Sequence, residues 1–369
     1  MKSVLLISET EASFFHTPRT IALLQDNGFD VTVASNSELL TRYARPATGK
    51  KPIPLMKEYS GFDVVLLAPY DCGHALPKTD APLIVAPFIT DNEKPPRIKK
   101  TIVLKPSDEA MSLGRLGKGR VASPEQCVEA VITAITPQDF KNRTILLTAG
   151  PTIEDADPAR FISNRSTGRM GTAIAAMAAR RGAKVILIHG PMLAPVPESP
   201  RVTPVPVRSA EQMCDAVLDN IEKADIAILC AAVADFAPDT YSEEKIKKGK
   251  SQHFTLRMHR TPDILATVGA LPDKPFLVGF AAESNHIRNN ALDKLHRKNC
   301  DMLCANDILA PGCGFATDTN SLLVFTRDGA CTEVPLASKA DVANAMLDLV
   351  LKYRGNFKNI AKSARRFPH

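Results

Sequence analysis

The chain has 369 residues, of which 44% are hydrophobic and 23% are charged, with a formal net charge of +6. That length exceeds the roughly 250–300 residues that one hydrophobic core usually serves, so we expect two domains. No apolar run approaches the ~18 residues of a membrane span, and the mild charge with 5% aromatic residues and no tryptophan argues against nucleic-acid binding.

Apolar runs alternate with helical patterns in the first part of the chain, which predicts an α/β domain with a parallel sheet. The N-terminal MKSVLLIS is predicted as a strand and not as a signal peptide, because its apolar core is short and acidic residues follow. The domain boundary is expected at 136–142, which contains a proline and lacks apolar periodicity. Further strands are expected at 30–35, 63–69, 83–88 and 101–105, and helices at 17–28 and at 121–135 with Ser123 as N-cap.

The second part of the chain repeats this alternation. The two runs within 321–336 are joined through Arg-Asp-Gly-Ala, and Asp-Gly suits the tight turn of a β-hairpin. The prolines between 186 and 206 predict an irregular passage. Other strands are expected at 144–150, 184–190, 225–233, 276–283 and 301–307, and helices at 170–181, 210–221, 288–298 and 339–353.

The eight cysteines are scattered, mostly inside apolar segments, which is typical of buried thiols in a cytosolic protein and not of a disulfide framework. The spacing of Cys300, Cys304 and Cys313 matches no common zinc pattern. The sequence therefore identifies no metal ligands and favours a cytoplasmic location.

The stretch TAGPTIEDADPARFISNRSTGRMG, which begins at Thr148, is far longer than the about 2–6 residues that usually join a strand to a helix. Gly150 makes a turn after the strand, and Ser166 leads into the helix, whose N-terminus favours anions. Arg160 and Asn164 add donors for an anionic or amide-rich ligand. The dinucleotide pattern G-x-G-x-x-G is absent, and a solvated surface loop is the alternative interpretation.

Two further strand ends are candidate site segments, because ligands of open α/β sheets bind at the carboxyl ends of the strands. The strand at 225–233 continues into AAVADF, which supplies Asp235 and then the basic run that begins at Lys245. The strand at 276–283 ends in GFAAES, whose small residues leave room for a flat ligand against the backbone. Most of the lysines in the basic run are expected to be solvated.

Six motifs between about 140 and 355, namely FISNRSTGRMG, AAVADF…KIKK, TPDI, GFAAE, K-x3-K and CANDI…GF…D-x-N, together resemble the phosphopantothenate–cysteine ligases and follow that family's order. More closely, they resemble the C-terminal half of the bacterial bifunctional flavoprotein that joins this ligase to phosphopantothenoylcysteine decarboxylase. The resemblance implies two doubly wound α/β domains, a flavodoxin-like one over 1–137 and a Rossmann-like one with an added β-hairpin over 138–369. It also implies a homodimer or a higher homo-oligomer.

The resemblance further implies that CTP, with Mg²⁺, activates 4′-phosphopantothenate to an acyl-cytidylate, from which the amine of cysteine displaces CMP. By motif, Asn164 would hydrogen-bond the acyl carbonyl during amine attack, and Lys245 would neutralise the triphosphate during activation. Arg160 and Ser166 join Asn164 as implied substrate-binding residues. The implied nucleotide-binding residues are Ala231, Ala232, Asp235, Lys245, Pro262, Asp263, Ile264, Leu265, Phe280, Lys294 and Lys298. Thr261 stands where the family has asparagine, which puts one minor contact in doubt.

The first part of the chain resembles the FMN-binding decarboxylase only in outline. Glu9 follows the first strand where its carboxylate would repel the flavin phosphate, Leu55 replaces the family's catalytic histidine, and Met111 replaces its proton-donating cysteine. The loop after LLAP reads Tyr-Asp-Cys-Gly instead of Ala-Thr-Ala-Asn, and VAPFITDN replaces a Pro-x-Met-Asn clamp. We therefore expect a domain that kept its fold, binds no FMN and lost its reaction.

Other interpretations stay open on the sequence. One is the complete bifunctional enzyme, with FMN retained despite these substitutions. Another is a non-catalytic module in which the first domain recruits a partner and the second only holds nucleotide. A relocated pair of Cys72 and His74 in the first domain and a preference for ATP over CTP are also open.

Overall fold

The structure, a computed structural model, describes residues 1–8, 16–72, 74–90, 96, 98, 100–107, 111–112, 118–247, 253–283, 286–307 and 309–364. The chain divides into two compact units, Met1–Pro137 and Gln138–His369. Glu9, Gly73, residues 248–252 and the side chain of Met111 lie outside the described part. The predictions that depend on them therefore stay predictions.

The first unit is built on a five-stranded parallel sheet with the order β2-β1-β4-β6-β7. Without the short β3 and β5, this is the 2-1-3-4-5 order of flavodoxin-like sheets. Its strands are β1 (Ser3–Ile7), β2 (Asp30–Ala34), β3 (Glu58–Tyr59), β4 (Val64–Tyr70), β5 (Lys78–Thr79), β6 (Leu83–Pro87), β7 (Ile102–Val103), β8 (Met111–Ser112) and β9 (Lys118–Gly119), and its helices are α1 (His16–Asp26), α2 (Glu38–Thr48) and α3 (Pro124–Ile135).

The helices of the first unit pack on one face of this sheet, through an apolar cluster that includes Leu24 of α1, Ala44 of α2 and Val131 of α3. The opposite face is covered by connecting segments, which contribute Leu55 and Tyr59 to a second apolar cluster. Unlike the doubly wound arrangement implied by the resemblance, the described part of this unit therefore places its helices on a single face.

The helix ends of the first unit show what the sequence predicted well and what it did not. Ser123 caps α3 as predicted, because its Oγ accepts from the N–H of Gln126 at 3.2 Å while its own N–H donates to that side chain at 2.8 Å. The helix begins at Pro124, three residues later than predicted. The helix α2 was not predicted, and it contains Pro46, a residue that normally ends a helix.

The second unit contains an eight-stranded sheet with the order β14-β13-β10-β15-β18-β19-β20-β21, parallel from β14 to β19 and antiparallel at β19–β20 and β20–β21. Its first six strands follow the 3-2-1-4-5-6 order of Rossmann sheets. Its strands are β10 (Thr144–Ala149), β11 (Ile153–Asp157), β12 (Arg160–Ser163), β13 (Lys184–His189), β14 (Val202–Pro206), β15 (Ile226–Leu229), β16 (Phe236–Pro238), β17 (Met258–Arg260), β18 (Phe276–Glu283), β19 (Met302–Asp307), β20 (Thr319–Thr326) and β21 (Cys331–Ser338), and its helices are α4 (Arg169–Arg180), α5 (Ala210–Ile221), α6 (Ile264–Gly269), α7 (Ile287–Arg297) and α8 (Lys339–Ala364).

Helices cover both faces of this sheet. One apolar cluster includes Ile174 of α4 and Met346 of α8, and the other includes Val217 of α5 and Leu295 of α7. The predicted α/β class with parallel sheets is confirmed, and the predicted hairpin is present as β20 and β21. Among the described helices, none combines the length and the apolar character that crossing a bilayer requires.

Two predictions for the second unit were wrong in detail. The long stretch after β10 is not a plain loop, because β11 and β12 pair there as an antiparallel hairpin. The passage predicted to be irregular contains β14, which includes Pro204 and Pro206. A strand can hold prolines when it lies at the edge of a sheet, because its outer N–H groups have no neighbouring strand to bond.

The contact between β10 and α4 depends on Gly171. A Cβ atom at this position would lie 2.4 Å from the Cβ of Ala149, so only glycine lets the helix approach the strand. We expect Gly171→Ala to lower the free energy of unfolding by about 1–3 kcal/mol, measured by chemical denaturation. Adding Ala149→Gly removes the clash and should restore part of the loss. A single Gly171→Ala variant as stable as the parent would contradict this account.

Candidate functional site

A cavity of about 850 Å³ opens at the carboxyl edge of the eight-stranded sheet. Its lining includes Gly150 after β10, Ala231 and Ala232 after β15, Phe280 in β18 and Asn306 in β19. Strands β10 and β15 are neighbours at the point where the strand order reverses, which is where open α/β sheets bind ligands. The cavity volume lies within the about 300–1,000 Å³ typical of small-molecule sites.

The chain segments that follow β10 and β15 are tied to each other by hydrogen bonds. The N–H of Ala232 donates to the carbonyl of Gly150 at 2.9 Å, and the N–H of Ala231 donates to Oγ1 of the buried Thr148 at 3.1 Å. Gly150 has φ +76°, a left-handed conformation that glycine adopts without strain. The backbone at the switch point is therefore fixed and free of large side chains, so a ligand can approach it closely.

Asn164 follows the β11–β12 hairpin and lines the cavity. Its Nδ2 donates to the carbonyl oxygens of Ala232 at 3.1 Å and Val233 at 2.9 Å. These two bonds fix the orientation of the carboxamide, because its oxygen would be repelled by the same carbonyls. An acyl oxygen could receive a hydrogen bond from Nδ2 only after one of these bonds is released.

The N-terminus of α4 forms one end of the cavity. Ser166, Thr167 and Gly168 line it, and Gly168 is an N-cap without a side-chain bond to the first N–H groups of the helix. These backbone donors, together with the helix dipole, favour an anionic ligand group. Thr167 also donates its hydroxyl to the carbonyl of Phe315 at 2.7 Å, which brings the segment before β20 to the cavity.

Lys339, at the start of α8, holds the same segment and also lines the cavity. Its Nζ donates to the carbonyl of Thr317 and, at 3.3 Å, to that of Gly314. The residue is only 7% exposed, and none of the ion pairs found in the described residues involves it. Burial lowers the pKa of its ammonium group, and the positive charge of Arg169 acts in the same direction. Lys339 therefore places a buried amine in the cavity wall.

A second basic group lies at the C-terminal end of α7, where Lys294, Arg297 and Lys298 line the cavity. Lys298 is mostly buried, and its Nζ forms an ion pair with the carboxylate of Asp263. Burial alone would raise the pKa of Asp263, but the hydrogen bond and charge of Lys298 hold it below the usual range. Asp263 also accepts from the N–H of Ala266 at 2.9 Å and so caps α6.

Most of the residues that the sequence assigned to nucleotide or substrate meet in this one cavity. Arg160 and Lys245 do not belong to its lining. Arg160 donates instead to the carbonyl of Ile246 at 2.9 Å, next to the exposed Lys245. Thr261, which departs from the family pattern, donates to the carbonyl of Ala234 at 2.5 Å and so takes a local structural role. The lining contains Asn164, Ser166, Ala231, Ala232, Asp235, Pro262, Asp263, Ile264, Leu265, Phe280, Lys294 and Lys298.

Sequence reasoning assigned no role to several cavity residues. Asn306 and Asn320 lie inside the motifs CANDI and D-x-N, and that position was the available signal. In the described residues, the Oδ1 atoms of both are buried without a hydrogen-bond partner. Arg169 likewise lies inside the motif FISNRSTGRMG, whereas Lys339 had no such signal, because a lysine at a helix start is ordinary in sequence.

Metal ligands are not evident in the described part of the chain, which contains no group of three or more His, Cys, Asp or Glu residues able to hold an ion. A magnesium ion that enters with a nucleotide needs no such group, because Mg²⁺ usually keeps water ligands and binds substrate phosphates.

Residues 140–353 match the protein family described as the DNA/pantothenate metabolism flavoprotein C-terminal domain. The chain belongs to this family. It is 43% identical over 257 residues to the coenzyme A biosynthesis bifunctional protein CoaBC of Escherichia coli strain K12, an alignment covering 68% of this chain and 63% of that protein. The corresponding protein of Bacillus subtilis strain 168 is 42% identical over 247 residues, which cover 66% of this chain and 60% of the relative.

Among solved structures, this family member is similar to the C-terminal domain of a coenzyme A biosynthesis bifunctional protein CoaBC. The likeness has 37% identity and a TM-score of 0.50, and it covers 59% of this chain and 98% of that domain. The alignments with the E. coli and B. subtilis relatives span less than two thirds of their lengths. The region that matches the family model, residues 140–353, contains all the residues that line the cavity.

Proposed function

We propose that the protein is a ligase of coenzyme A biosynthesis that joins 4′-phosphopantothenate to the amine of L-cysteine and uses CTP. The observation that carries the proposal is the meeting of Asn164, Asp235, Phe280 and the α7 cations in one cavity at the switch point of the sheet. Membership of the pantothenate metabolism family, and relatives named for coenzyme A biosynthesis, support the same substrates. A homodimer or higher homo-oligomer in the cytoplasm belongs to this proposal.

The chemistry we propose has two steps. A carboxylate oxygen of 4′-phosphopantothenate attacks the α-phosphorus of CTP, and the bond to the bridging oxygen breaks, so pyrophosphate leaves with its Mg²⁺. The amine nitrogen of cysteine then attacks the acyl carbon of the acyl-cytidylate. CMP leaves with the bonding electrons, and the nitrogen loses a proton to give the amide.

The charges around the cavity suit these steps. Lys294 and Lys298 lie where they can attract a triphosphate, and the N-terminus of α4 offers backbone donors to a second anionic group. Asn164 is held against the carbonyls of Ala232 and Val233, which places a carboxamide beside the switch point. We assign it to the amide-forming step and assign Lys245 to the activation step.

We further propose that the first unit neither binds FMN nor decarboxylates. Leu55, which stands where the resemblance places a catalytic histidine, packs against the apolar cluster on one face of the sheet. Tyr70 ends β4 with a buried ring, and its hydroxyl donates to the carbonyl of His74 at 2.5 Å. Leu55 cannot do the chemistry of a histidine, and the hydroxyl of Tyr70 is already hydrogen-bonded within the chain. These two residues do not fit the flavin site of a decarboxylase.

The deciding experiment supplies the purified chain with 4′-phosphopantothenate, L-cysteine and either CTP or ATP, and it records the amide product and pyrophosphate. We expect both products with CTP, and much less of either with ATP. Cysteine-dependent release of pyrophosphate excludes a module that only holds nucleotide. If neither nucleotide gives the amide, the proposed function is wrong.

The proposal for the first unit makes a separate prediction. The purified protein should show no flavin absorbance and should release no CO2 from 4′-phosphopantothenoylcysteine, even when FMN is added. The measurement compares CO2 release with that of an active decarboxylase under the same conditions. Decarboxylation at a measurable rate would favour the complete bifunctional enzyme instead.

A further inference from the structure

Asp157 has a buried carboxylate that none of the proposed chemical steps uses. The residue is 1% exposed, and its two oxygens accept four hydrogen bonds. Oδ1 accepts from the N–H groups of Ala159 at 2.7 Å and Arg160 at 2.8 Å. Oδ2 accepts from Nη1 of Arg160 at 3.1 Å and from the N–H of Ile246 at 3.0 Å. Oδ1 therefore binds only the neighbouring turn, whereas Oδ2 binds both the side chain of Arg160 and the distant backbone of Ile246.

The bond between Oδ2 and Ile246 links Asp157 to the segment that carries Lys245. Ile246 is bound through both of its backbone groups, since its carbonyl accepts from Arg160 at 2.9 Å while its N–H donates to Asp157. The N–H of Ser242 also donates to the carbonyl of Ala156 at 3.0 Å. Lys245 thus lies between two attachments to the β11–β12 hairpin, although its own side chain is exposed.

The hairpin itself is a firm support for these attachments. Glu154 accepts from the N–H of Ala210 at the start of α5, at 2.9 Å. Asp155 forms a two-pronged ion pair with Arg208, with distances of 2.6 and 2.7 Å. A hairpin fixed to α5 in this way can hold the Lys245 segment in place at the same edge of the sheet.

We propose that Asp157 is a positioning residue for Lys245: its carboxylate fixes the backbone of Ile246 and thereby sets where the neighbouring ammonium group stands. The inference rests on the proposed function, in which Lys245 acts on the triphosphate. It assigns no contact between Asp157 and any substrate. Arg160 acts with Asp157, because it closes the second hydrogen bond to Ile246.

Asp157→Asn is expected to keep the hydrogen bonds within the turn and to remove the one to Ile246. The single amide oxygen of asparagine can still accept from Ala159 and Arg160, so the local turn is kept. The amide nitrogen then faces two donors, the N–H of Ile246 and Nη1 of Arg160, and the link to the Lys245 segment is lost. Asp155→Asn is the matched control, because it makes the same change on the same hairpin without touching Ile246.

The first measurement does not depend on any activity. Trypsin cleaves after Lys245, and mass spectrometry identifies cleavage of the bond to Ile246 in the folded chain. Cleavage reports how often the segment opens, and loss of a charged hydrogen bond should raise its rate at least ~10-fold in Asp157→Asn. Asp155→Asn weakens the support of the hairpin but keeps the bond to Ile246, so it should cleave more slowly than Asp157→Asn. Equal rates in parent and Asp157→Asn would overturn the inference.

The second measurement is exchange of labelled pyrophosphate into CTP. We expect Asp157→Asn to reduce exchange about 10–100-fold and to have less than about 3-fold further effect when Lys245→Gln is already present. The inference would also be wrong if Asp157→Asn and Lys245→Gln reduced exchange independently of each other. The same holds if Asp157→Asn cleaved faster than the parent but kept full exchange. If the parent shows no exchange at all, the proposed function fails, and the cleavage rates alone decide whether Asp157 orders this segment.

Discussion

Lys245→Gln is expected to reduce the exchange of labelled pyrophosphate into CTP about 10²–10³-fold, and amide formation with it. Attack of the carboxylate on CTP gathers negative charge on the phosphates, so the loss of one cation matters most in this step. A group that stabilises such charge typically contributes about 10²–10³ in rate. Exchange assays with 4′-phosphopantothenate and CTP, without cysteine, measure this step alone.

Asn164→Asp is expected to leave that exchange largely intact and to block amide formation, so acyl-cytidylate accumulates. The substitution removes the two N–H bonds to Ala232 and Val233 and sets a negative oxygen against their carbonyls. It also opposes the negative charge that develops on the acyl oxygen during attack by the amine. Trapping the nucleotide intermediate and quantifying it by mass spectrometry checks the prediction.

Two outcomes would contradict this division of roles. If Asn164→Asp abolished exchange while Lys245→Gln retained it, the two assignments would be reversed. If each variant changed the overall rate less than about 3-fold, within the ±0.5 kcal/mol typical of neutral surface positions, neither residue would have a catalytic role. The control is unfolding temperature, which should change little for Lys245→Gln because its side chain is exposed.

Residues that the sequence motifs named meet in one cavity where the fold itself brings them together. Gly150 and Ala231 follow two different strands and Phe280 lies in a third, yet parallel strands end at the same edge of a sheet, so strand ends found in sequence meet in space. Asp263 and Lys298 are far apart in the chain, but they lie at the ends of α6 and α7, the helices that flank β18 in sequence. Their assignment to the nucleotide came from the resemblance of the motifs TPDI and K-x3-K to the family and not from their position in the fold.

The contacts that the sequence could not predict are those made by backbone groups. Asp157 bonds to the N–H of Ile246, and any residue at that position other than proline would offer the same donor. Lys339 bonds to the carbonyls of Gly314 and Thr317, which are likewise independent of side-chain type. Sequence patterns report side chains and their spacing, so a partner that consists of a peptide group leaves no signal.

Lys298→Met is expected to raise the KM for CTP about 10–150-fold and to change kcat little. The ammonium group lines the cavity from a mostly buried position, and hydrogen bonds to charged groups contribute about 1.5–3 kcal/mol. Its loss also leaves the half-exposed carboxylate of Asp263 unpaired beside the nucleotide. Initial rates at varied CTP, with 4′-phosphopantothenate and cysteine saturating, separate KM from kcat.

The pair with Asp263 allows two roles for Lys298 to be distinguished. If Lys298 only neutralises Asp263, the double variant Lys298→Met/Asp263→Asn should bind CTP like the parent, because no unpaired carboxylate is left and asparagine can still cap α6. If Lys298 contacts the phosphates, the double variant stays at least ~10-fold weaker, and we expect this result. The matched control is Lys274→Met, because Lys274 is about as buried as Lys298 and forms its ion pair, with Asp301, outside the cavity lining. Both substitutions remove an ion pair, so both should lower the unfolding temperature. Only Lys298→Met should raise the KM for CTP. An equal rise of the KM in both variants would mean that Lys298 acts through stability and not through the nucleotide.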